Sequence, residues 1–488
     1  MKVLHTSDWH LGQNFYGKSR AVEHQNFLNW LLSQVDTRQI DLVIVAGDIF
    51  DTGTPPSYAR EMYFNFVVEL HKHGCQLLII AGNHDSVAVL SEAKQVLKPL
   101  GCHVVSQANQ ADDDMVFAVN NRDGEPAAVI CALPYIRPRD VLISKAGQSS
   151  QEKQQDLQQA ITARYSGLYE RAQQLADELA TDKQALPIIG TGHLTVVGAK
   201  TTESVRDLYI GTLDAYPAKL MPAFDYLALG HIHQPQKIAK TEHIRYCGSP
   251  IALSFDEAKQ TKTVLLANFE QGRLTQVESI SIPVYQPLAM VKTDLANLVA
   301  DVAAELEQQS QAVSLERADS LEQKNSPEHA NSPEQVNSLE RPKSSEQATT
   351  TWLDIELSAS DYLSDLQSRL NQLLADFSVE ILLVRRSKQA RKAMTQTSSK
   401  LVLSELSLEE VFSSKLDELE LETEPSSELS SEQNTSKRAL LSDAFNQVVA
   451  QVREQNNVAV MAEELSAQIR QTERQGSVVQ TNGQESKS

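Results

Sequence analysis

The chain predicts an α/β fold, and three observations lead there. Short apolar runs of the kind that form buried strands recur at Val3 to Thr6, Leu42 to Ala46, Leu77 to Ala81, Ile188 to Thr191 and Tyr226 to Leu229. Segments with helical spacing lie between them. Each run ends in polar residues able to bind a metal: Asp8-Trp9-His10, Gly47-Asp48-Ile49-Phe50-Asp51, Gly82-Asn83-His84-Asp85, Gly192-His193 and Gly230-His231-Ile232-His233. In open α/β sheets, sites form at the carboxyl edge of the strands, so neighbouring strand ends would bring these distant segments into one crevice.

The elements follow in chain order. Val22, Phe27, Leu28, Leu31, Leu32 and Val35 repeat as on a helix packed across a sheet. Ser57 to Lys72 and Val87 to Leu97 read as further helices. Thr263 to Ser281 reads as a hairpin turning at Gln271-Gly272. Beyond it, Tyr285 to Val291 reads as a strand, and Leu295, Leu298, Val302 and Leu306 share a helix face. Leu353, Ile355 and Leu357 alternate, Leu363, Leu366, Leu370 and Leu373 form another face, and Val379 to Val384 closes a small βαβαβ unit. Ser407 and Glu410 have capping-box spacing ahead of one short amphipathic helix, and Leu440 to Val452 form a second. The two helices are tethered by the acidic, serine-rich stretch Glu420 to Ser436.

From Ser314 a six-residue period runs through six copies that keep serine first and glutamate third. With few apolar side chains and prolines at Pro327, Pro333 and Pro342, residues 314–349 read as a disordered insertion in the βαβαβ unit.

Length and charge set further bounds. The 488 residues carry 44 basic against 64 acidic side chains, a net charge of −20. That sign excludes general basic-surface binding to nucleic acid. The acidic excess gathers after residue 300, however, and bound cations would supply positive charge at a site. Lys18, Arg20, Arg137, Arg139 and Lys200 are candidate phosphate contacts, although singly each is more simply a solvated charge. Cys75, Cys102, Cys131 and Cys247 are scattered with no Cys-x-x-Cys pair, Met1-Lys2-Val3 runs straight into the first strand, and no apolar run reaches membrane length. These features predict a cytosolic protein with reduced thiols and no membrane association. No Gly-x-x-x-x-Gly-Lys-Ser/Thr loop occurs, so any ATP hydrolysis must come from a partner.

Carboxylate, amide and imidazole together suit two divalent ions that clamp a phosphate between them. Oxygen ligands favour hard ions, imidazoles shift the preference toward Mn, Fe or Zn, and the absence of cysteine from the five segments argues against a thiolate zinc site. Manganese is the first choice. A lone Asp-x-His, or a Gly-Asp turn, would carry little weight. Ordered co-occurrence of all five segments, each after a strand, carries the assignment. Trp9 and Phe50 read as packing residues, and His5, His24, His71, His73, His103, His243 and His329 as structural ones.

The five segments in this order resemble the calcineurin-like metallophosphoesterase superfamily. The wording His5-Thr6-Ser7-Asp8-Trp9-His10-Leu11-Gly12, with Gly248-Ser249-Pro250 downstream, resembles its SbcD family, the nuclease subunits of bacterial SbcCD complexes. The resemblance implies a two-sheet αββα sandwich over residues 1–281, a small α+β capping domain over 282–388, a C-terminal helical partner-docking region over 389–460 and a mostly disordered tail over 461–488. It implies one metal held by Asp8, His10 and His233, another by Asn83, His193 and His231, and Asp48 bridging them. His84 would face the scissile phosphate as the catalytic imidazole, with Asp85 orienting it. Asp51 stands where several relatives have histidine, which leaves its part open.

The resemblance further implies 3′ to 5′ exonuclease action on double-stranded ends and endonuclease action on DNA hairpins or blocked ends, in repair, recombination and replication. The partner would be an SbcC-like ATPase, with a homodimer formed through the helices of residues 57–97 inside a heterotetramer, nucleoid-associated when on DNA. The alternatives are a phosphatase or small-molecule phosphodiesterase of the same fold, or a catalytically idle scaffold for the ATPase. Protein phosphatases usually carry an arginine after the second motif, whereas Asp51 is followed by Thr52-Gly53, which favours a diester. Removal of residues 314–349 is expected to leave nuclease activity intact when soluble purified protein is assayed on DNA, and a large loss would show that the repeat tract takes part.

Overall fold

Alternation within each strand decides how the layers stack. In the computed structural model, Leu42, Ile44 and Ala46 belong to one core while Val43 and Val45 belong to another. The strand Leu42–Ala46 therefore shows one face to a second sheet and the other to helices, as a period of two requires. The structure describes residues 1–142, 149–180, 185–200, 202, 215–324, 350–357, 366–386, 412 and 445.

One six-stranded sheet runs in the order Arg273–Ser281, Thr263–Glu270, Lys2–Thr6, Leu42–Ala46, Gln76–Ile80, Cys102–Val105. Its last four strands are mutually parallel, and the hairpin pairs antiparallel on Lys2–Thr6. Gln271 and Gly272 both take positive φ, 50° and 75°, as a tight two-residue hairpin turn requires. The second sheet runs Gln236–Lys237, Ile244–Tyr246, Tyr226–Gly230, Ile188–His193, Pro126–Cys131, Val116–Asn120. Ile188–His193 and Tyr226–Gly230 lie parallel at its centre.

Between the sheets, Val3, Ile44, Leu78 and Ile80 pack with Val129, Ile189, Leu227 and Leu229, all buried. Each such side chain contributes roughly 1.5 to 3 kcal/mol on burial. The helices Ala21–Arg38 and Ser57–Lys72 cover the outer face of the first sheet, and Ser150–Leu179 packs on the second. This is the αββα sandwich. Trp9 and Phe50 are core residues, 0 % and 1 % exposed.

Two expectations about helices change. Val22 is 76 % exposed, because at about 100° per residue a position five before Phe27 falls on the far side from the buried Phe27, Leu28, Leu31 and Val35. The stretch Val87 to Leu97 divides into Val87–Glu92 and Lys94–Leu97.

The βαβαβ unit is present as three parallel strands, Leu288–Thr293, Thr351–Leu357 and Val379–Arg386, adjacent in that order. Ala289, Val291, Leu298, Val302, Leu353, Ile355 and Leu370 form its core. Its helix Leu298–Lys324 takes in residues 314–324 of the first two hexapeptide copies, which corrects the expectation of disorder from residue 314. Those copies carry Leu315 and Leu321 among strong helix formers, and the first proline comes only at Pro327. Asn325 and the remaining copies, residues 326–349, lie outside the described residues, as does Leu363.

The unit sits on the sandwich through Trp352, which stacks on Phe15 at 5.9 Å and shares a small core with Phe255 and Leu288. Arg20 lies beneath these rings, 1 % exposed, 4.8 Å from the Phe15 centroid and bonded to Glu23 and to the Ala252 carbonyl. It is a structural residue and is withdrawn as a phosphate contact. Residues 393–488 form a separate unit, of which Phe412 and Phe445 are described. Their rings stack at 4.0 Å. The two C-terminal helices otherwise lie outside the described residues. Among the described residues no helix is long and apolar enough to cross a membrane.

His5 and His24 are wholly buried structural histidines. His5 contacts the Tyr226 hydroxyl at 2.9 Å, and His24 Nε2 lies 2.9 Å from the Trp9 carbonyl. Burial pushes each imidazole down to about 3, so the native state excludes a proton that the unfolded chain binds near 6.5. Their contribution to stability is therefore whole above about pH 6.5 and is lost as pH falls toward 3. Replacing His24 with Gln is expected to shrink the difference in urea-unfolding free energy between pH 7.5 and 4.5 by roughly 2 to 3 kcal/mol.

Candidate metal centre

All five polar segments meet at one end of the sandwich. The loop after Lys2–Thr6 runs beside the loop after Leu42–Ala46: Asp8 N–H donates to Gly47 O at 2.9 Å, His10 N–H to Asp48 O at 3.0 Å, and Leu11 N–H to Ile49 O at 2.9 Å. This pairing continues the parallel ladder past the strand ends and sets Asp8 and His10 beside Asp48.

The backbone there is strained. Asp8, His10, Asp48 and His231 have positive φ of 54°, 47°, 50° and 94°. Each such residue costs of order 1 kcal/mol or more and persists only where surroundings impose it. Glycines before these polar residues open the space. A Cβ on Gly82 would lie 2.1 Å from Asp48 Oδ1, one on Gly47 2.1 Å from His193 Nδ1, and one on Gly230 1.8 Å from the Ala46 carbonyl oxygen.

Three overlapping groups bring their donor atoms within 4.8 Å of one another: Asp8, His10 and His233; His10, Asp48 and His84; and Asp48, His193 and His231. Asn83 joins the last, its Oδ1 2.9 Å from His193 Nε2, which is also 3.2 Å from Asp48 Oδ2. His193 Nδ1–H donates to the Ala46 carbonyl at 2.9 Å, so Nε2 is the atom that converges with those two oxygens. His10 Nδ1–H donates to Asp51 Oδ1 at 3.1 Å, and its Nε2 is buried with no hydrogen-bond partner, 3.6 Å from Asp48 Oδ2. An orphaned imidazole nitrogen among carboxylates is what a cation site offers, and the mixture of carboxylate, amide and imidazole fits divalent ions.

Asp8 is held in turn. Its Oδ1 accepts from His231 N–H at 2.9 Å and its Oδ2 from the Ser7 hydroxyl at 2.5 Å.

Electrostatics agree. Burial opposes charge on His193 and His10, yet the Asp48 carboxylate beside the first and the Asp51 bond to the second outweigh it, raising them to about 9 and about 8. Asp48 is buried too, and the surrounding imidazoles, His193 foremost, hold it well below the usual carboxylate range. The same pairs would release protons on taking up a cation.

Asp85 is placed differently from expectation. Its carboxylate accepts from the main-chain N–H of Gly82 at 2.8 Å, Phe50 at 3.0 Å and Ile49 at 3.2 Å. It therefore ties the loops of Asp48 and Asn83 together, and a carboxylate-to-imidazole bond to His84 is not its role. Burial and then the Asp48 charge push it up to about 6. His84 Nδ1–H donates instead to the Asp51 carbonyl at 2.7 Å, its ring edge-on to His10 at 4.7 Å. Asp51, left open by the sequence, thus orients both imidazoles, one through its side chain and one through its main chain. The sequence reading also missed Glu257, buried behind His233 at 3.4 Å. The recurrent glycine immediately before Asp48, Asn83, His193 and His231 was the one legible signal of the close packing.

Of the candidate phosphate contacts, Lys18 pairs with Glu380 at 2.6 Å and Arg137 donates to the Asp85 carbonyl at 2.9 Å, while Arg139 and Lys200 are exposed.

Replacing Gly82 with Ala is expected to displace Asp48 and abolish tight binding of divalent ions. Titration calorimetry with Mn checks this, alongside the disappearance of any Mn-dependent rise in melting temperature.

Residues 1–235 match the family model described as calcineurin-like phosphoesterase, and residues 284–419 match the one described as type 5 capsule protein repressor C-terminal domain. The chain is 47 % identical over 416 residues to the SbcD component of the SbcCD nuclease of Escherichia coli strain K12, a match spanning 85 % of this chain and 92 % of that protein. It is 30 % identical to the corresponding SbcCD component of Bacillus subtilis strain 168, over 63 % of this chain and 76 % of that one. The Rhodobacter capsulatus counterpart is also 30 % identical, over 60 % and 71 %. With two strand-end loops locked in register, donor atoms converging from both sheets, and matches that run through the βαβαβ unit, the chain belongs to the SbcD family of calcineurin-like phosphoesterases.

Proposed function

We propose that this chain is a DNA phosphodiesterase using two divalent ions, Mn by preference, and that it works with an SbcC-like ATPase. One observation carries the reading: buried donors from both sheets converge around Asp48, with His10 Nε2 left without a hydrogen-bond partner among them. Asp8, His10 and His233 would hold one ion, Asn83, His193 and His231 the other, and Asp48 both. Such ions supply Lewis-acid stabilisation of charge developing on a phosphate.

The protein's own groups do the rest. Asp51 fixes His84 through Nδ1, which makes Nε2 the atom able to bring a proton to the departing oxygen. Asp85 keeps the loops of Asp48 and Asn83 at a fixed spacing, so the catalytic imidazole and the ligands move as one piece. The absence of an arginine after Asp51 supports a diester substrate. Residues 282–388 act as the cap that selects DNA forms, residues 389–460 dock the ATPase, and the helices of residues 57–97, where Val68 and Val96 are exposed, join two copies. The nuclease action named for the relatives becomes, in this reading, exonuclease action at double-stranded ends and opening of hairpins.

Cleavage of an end-labelled DNA hairpin in Mn, with and without the ATPase and ATP, tests this. Wild type is expected to cut, and His84→Ala to lose roughly 10²- to 10⁴-fold in rate while still binding metal. Intact DNA under every condition together with hydrolysis of a phosphomonoester would replace the nuclease with a phosphatase.

A further inference from the structure

Behind His233 lies a buried ion pair. Glu257, in the short turn Phe255–Glu257, is 0 % exposed. Its Oε1 lies 3.4 Å from His233 Nδ1. Its Oε2 accepts from Lys262 Nζ at 2.5 Å, Leu253 N–H at 3.1 Å and the Ser249 hydroxyl at 3.3 Å. Lys262, also buried, donates to the His233 carbonyl at 3.1 Å and to Ser249 Oγ at 3.0 Å. The ring and the main chain of a single residue are thus held by the two members of one ion pair.

Stability is a poor reason for such an arrangement. The desolvation of two buried charges offsets most of their attraction, and apolar replacements of such pairs are often neutral or better. A carboxylate against Nδ1 of an imidazole has a different effect: it sets the tautomer and the ring plane, and makes Nε2 the nitrogen that can bind a cation. His10, the other imidazole grouped with Asp8, is treated the same way by Asp51 at 3.1 Å. His193, across Asp48, has only the neutral Ala46 carbonyl at that position. Charged partners therefore stand behind both imidazoles of the Asp8 group, and the two come from remote parts of the chain.

We propose that Glu257 is a positioning residue for the ion held by Asp8, His10 and His233. It aims His233, and Lys262 keeps the Glu257 carboxylate and the His233 main chain in register. This rests on the two-ion reading above.

The test uses the full chain as wild type, Glu257→Gln, Glu257→Asp and the double variant Glu257→Gln with Lys262→Met. Each is titrated with Mn by calorimetry, and the metal-free protein is melted as a control of fold. Glu257→Gln is expected to weaken one of two Mn ions by roughly 10- to 100-fold and leave the other unchanged, with the metal-free melting temperature within a few degrees of wild type. Glu257→Asp is expected to recover part of the loss. The double variant removes the pair as a unit, so it stays folded even if the single change does not, and it is expected to show the same one-ion defect. Two ions bound with wild-type affinity by Glu257→Gln or by the double variant would overturn the proposal alone. A wild-type chain that bound no Mn would overturn the two-ion reading, and this proposal with it.

Discussion

At the carbonyl of Ala46 the two sheets touch beside Asp48. That carbonyl accepts from His193 of the second sheet, and a Cβ on Gly230 would lie within 1.8 Å of it. Only a residue without a side chain permits that approach, which sets the ends of the two sheets close together beside Asp48. The sandwich core behind it, from Val3 to Leu229, fixes the separation of the layers. The loops then inherit their spacing, from Asp8 paired on Gly47 to Asp85 bonded across to Phe50.

Much of this was readable because it obeys short periods. Buried strands announce themselves as apolar runs, and a ligand placed immediately after each one needs no long-range information. The ends of Leu42–Ala46 and Ser57–Lys72 fall where the sequence puts them. Helix faces were less legible. Val22 is apolar yet lies in solvent, because one more apolar residue at the start of a helix says nothing about which side faces the sheet. Arg20 misleads in the opposite way: a lone basic side chain near a phosphate site looks like a contact, and only the overlying Phe15 and Trp352 show that it is packed. Partners of the ligands were the least legible part. The bonds of Asp85 and Asp51 depend on how two loops face each other, and Glu257 is 24 residues from His233 in sequence, with no local pattern joining them.

The βαβαβ unit rests on the same ground as the centre. Its Trp352 stacks on Phe15, in the segment following His10, and packs in one small core with Phe255, two residues from Glu257. Lys18 to Glu380 and Lys259 to Glu305 add exposed ion pairs on the same two segments. Exposed pairs of this kind contribute little, so the aromatic stack is what seats the unit. Phe15 and Phe255 thus join the unit to the segments that carry His10 and Glu257.

The left-handed backbone at Asp8, His10, Asp48 and His231 bears on how such a chain changes over evolutionary time. Glycine or asparagine would adopt those angles at lower cost, so selection for stability alone runs against the residues that the proposed centre needs. A lineage released from catalysis would gain robustness by drifting at these four positions, and its ruined centre would be the better-folded one. In this chain aspartate and histidine occupy all four positions and carry that cost.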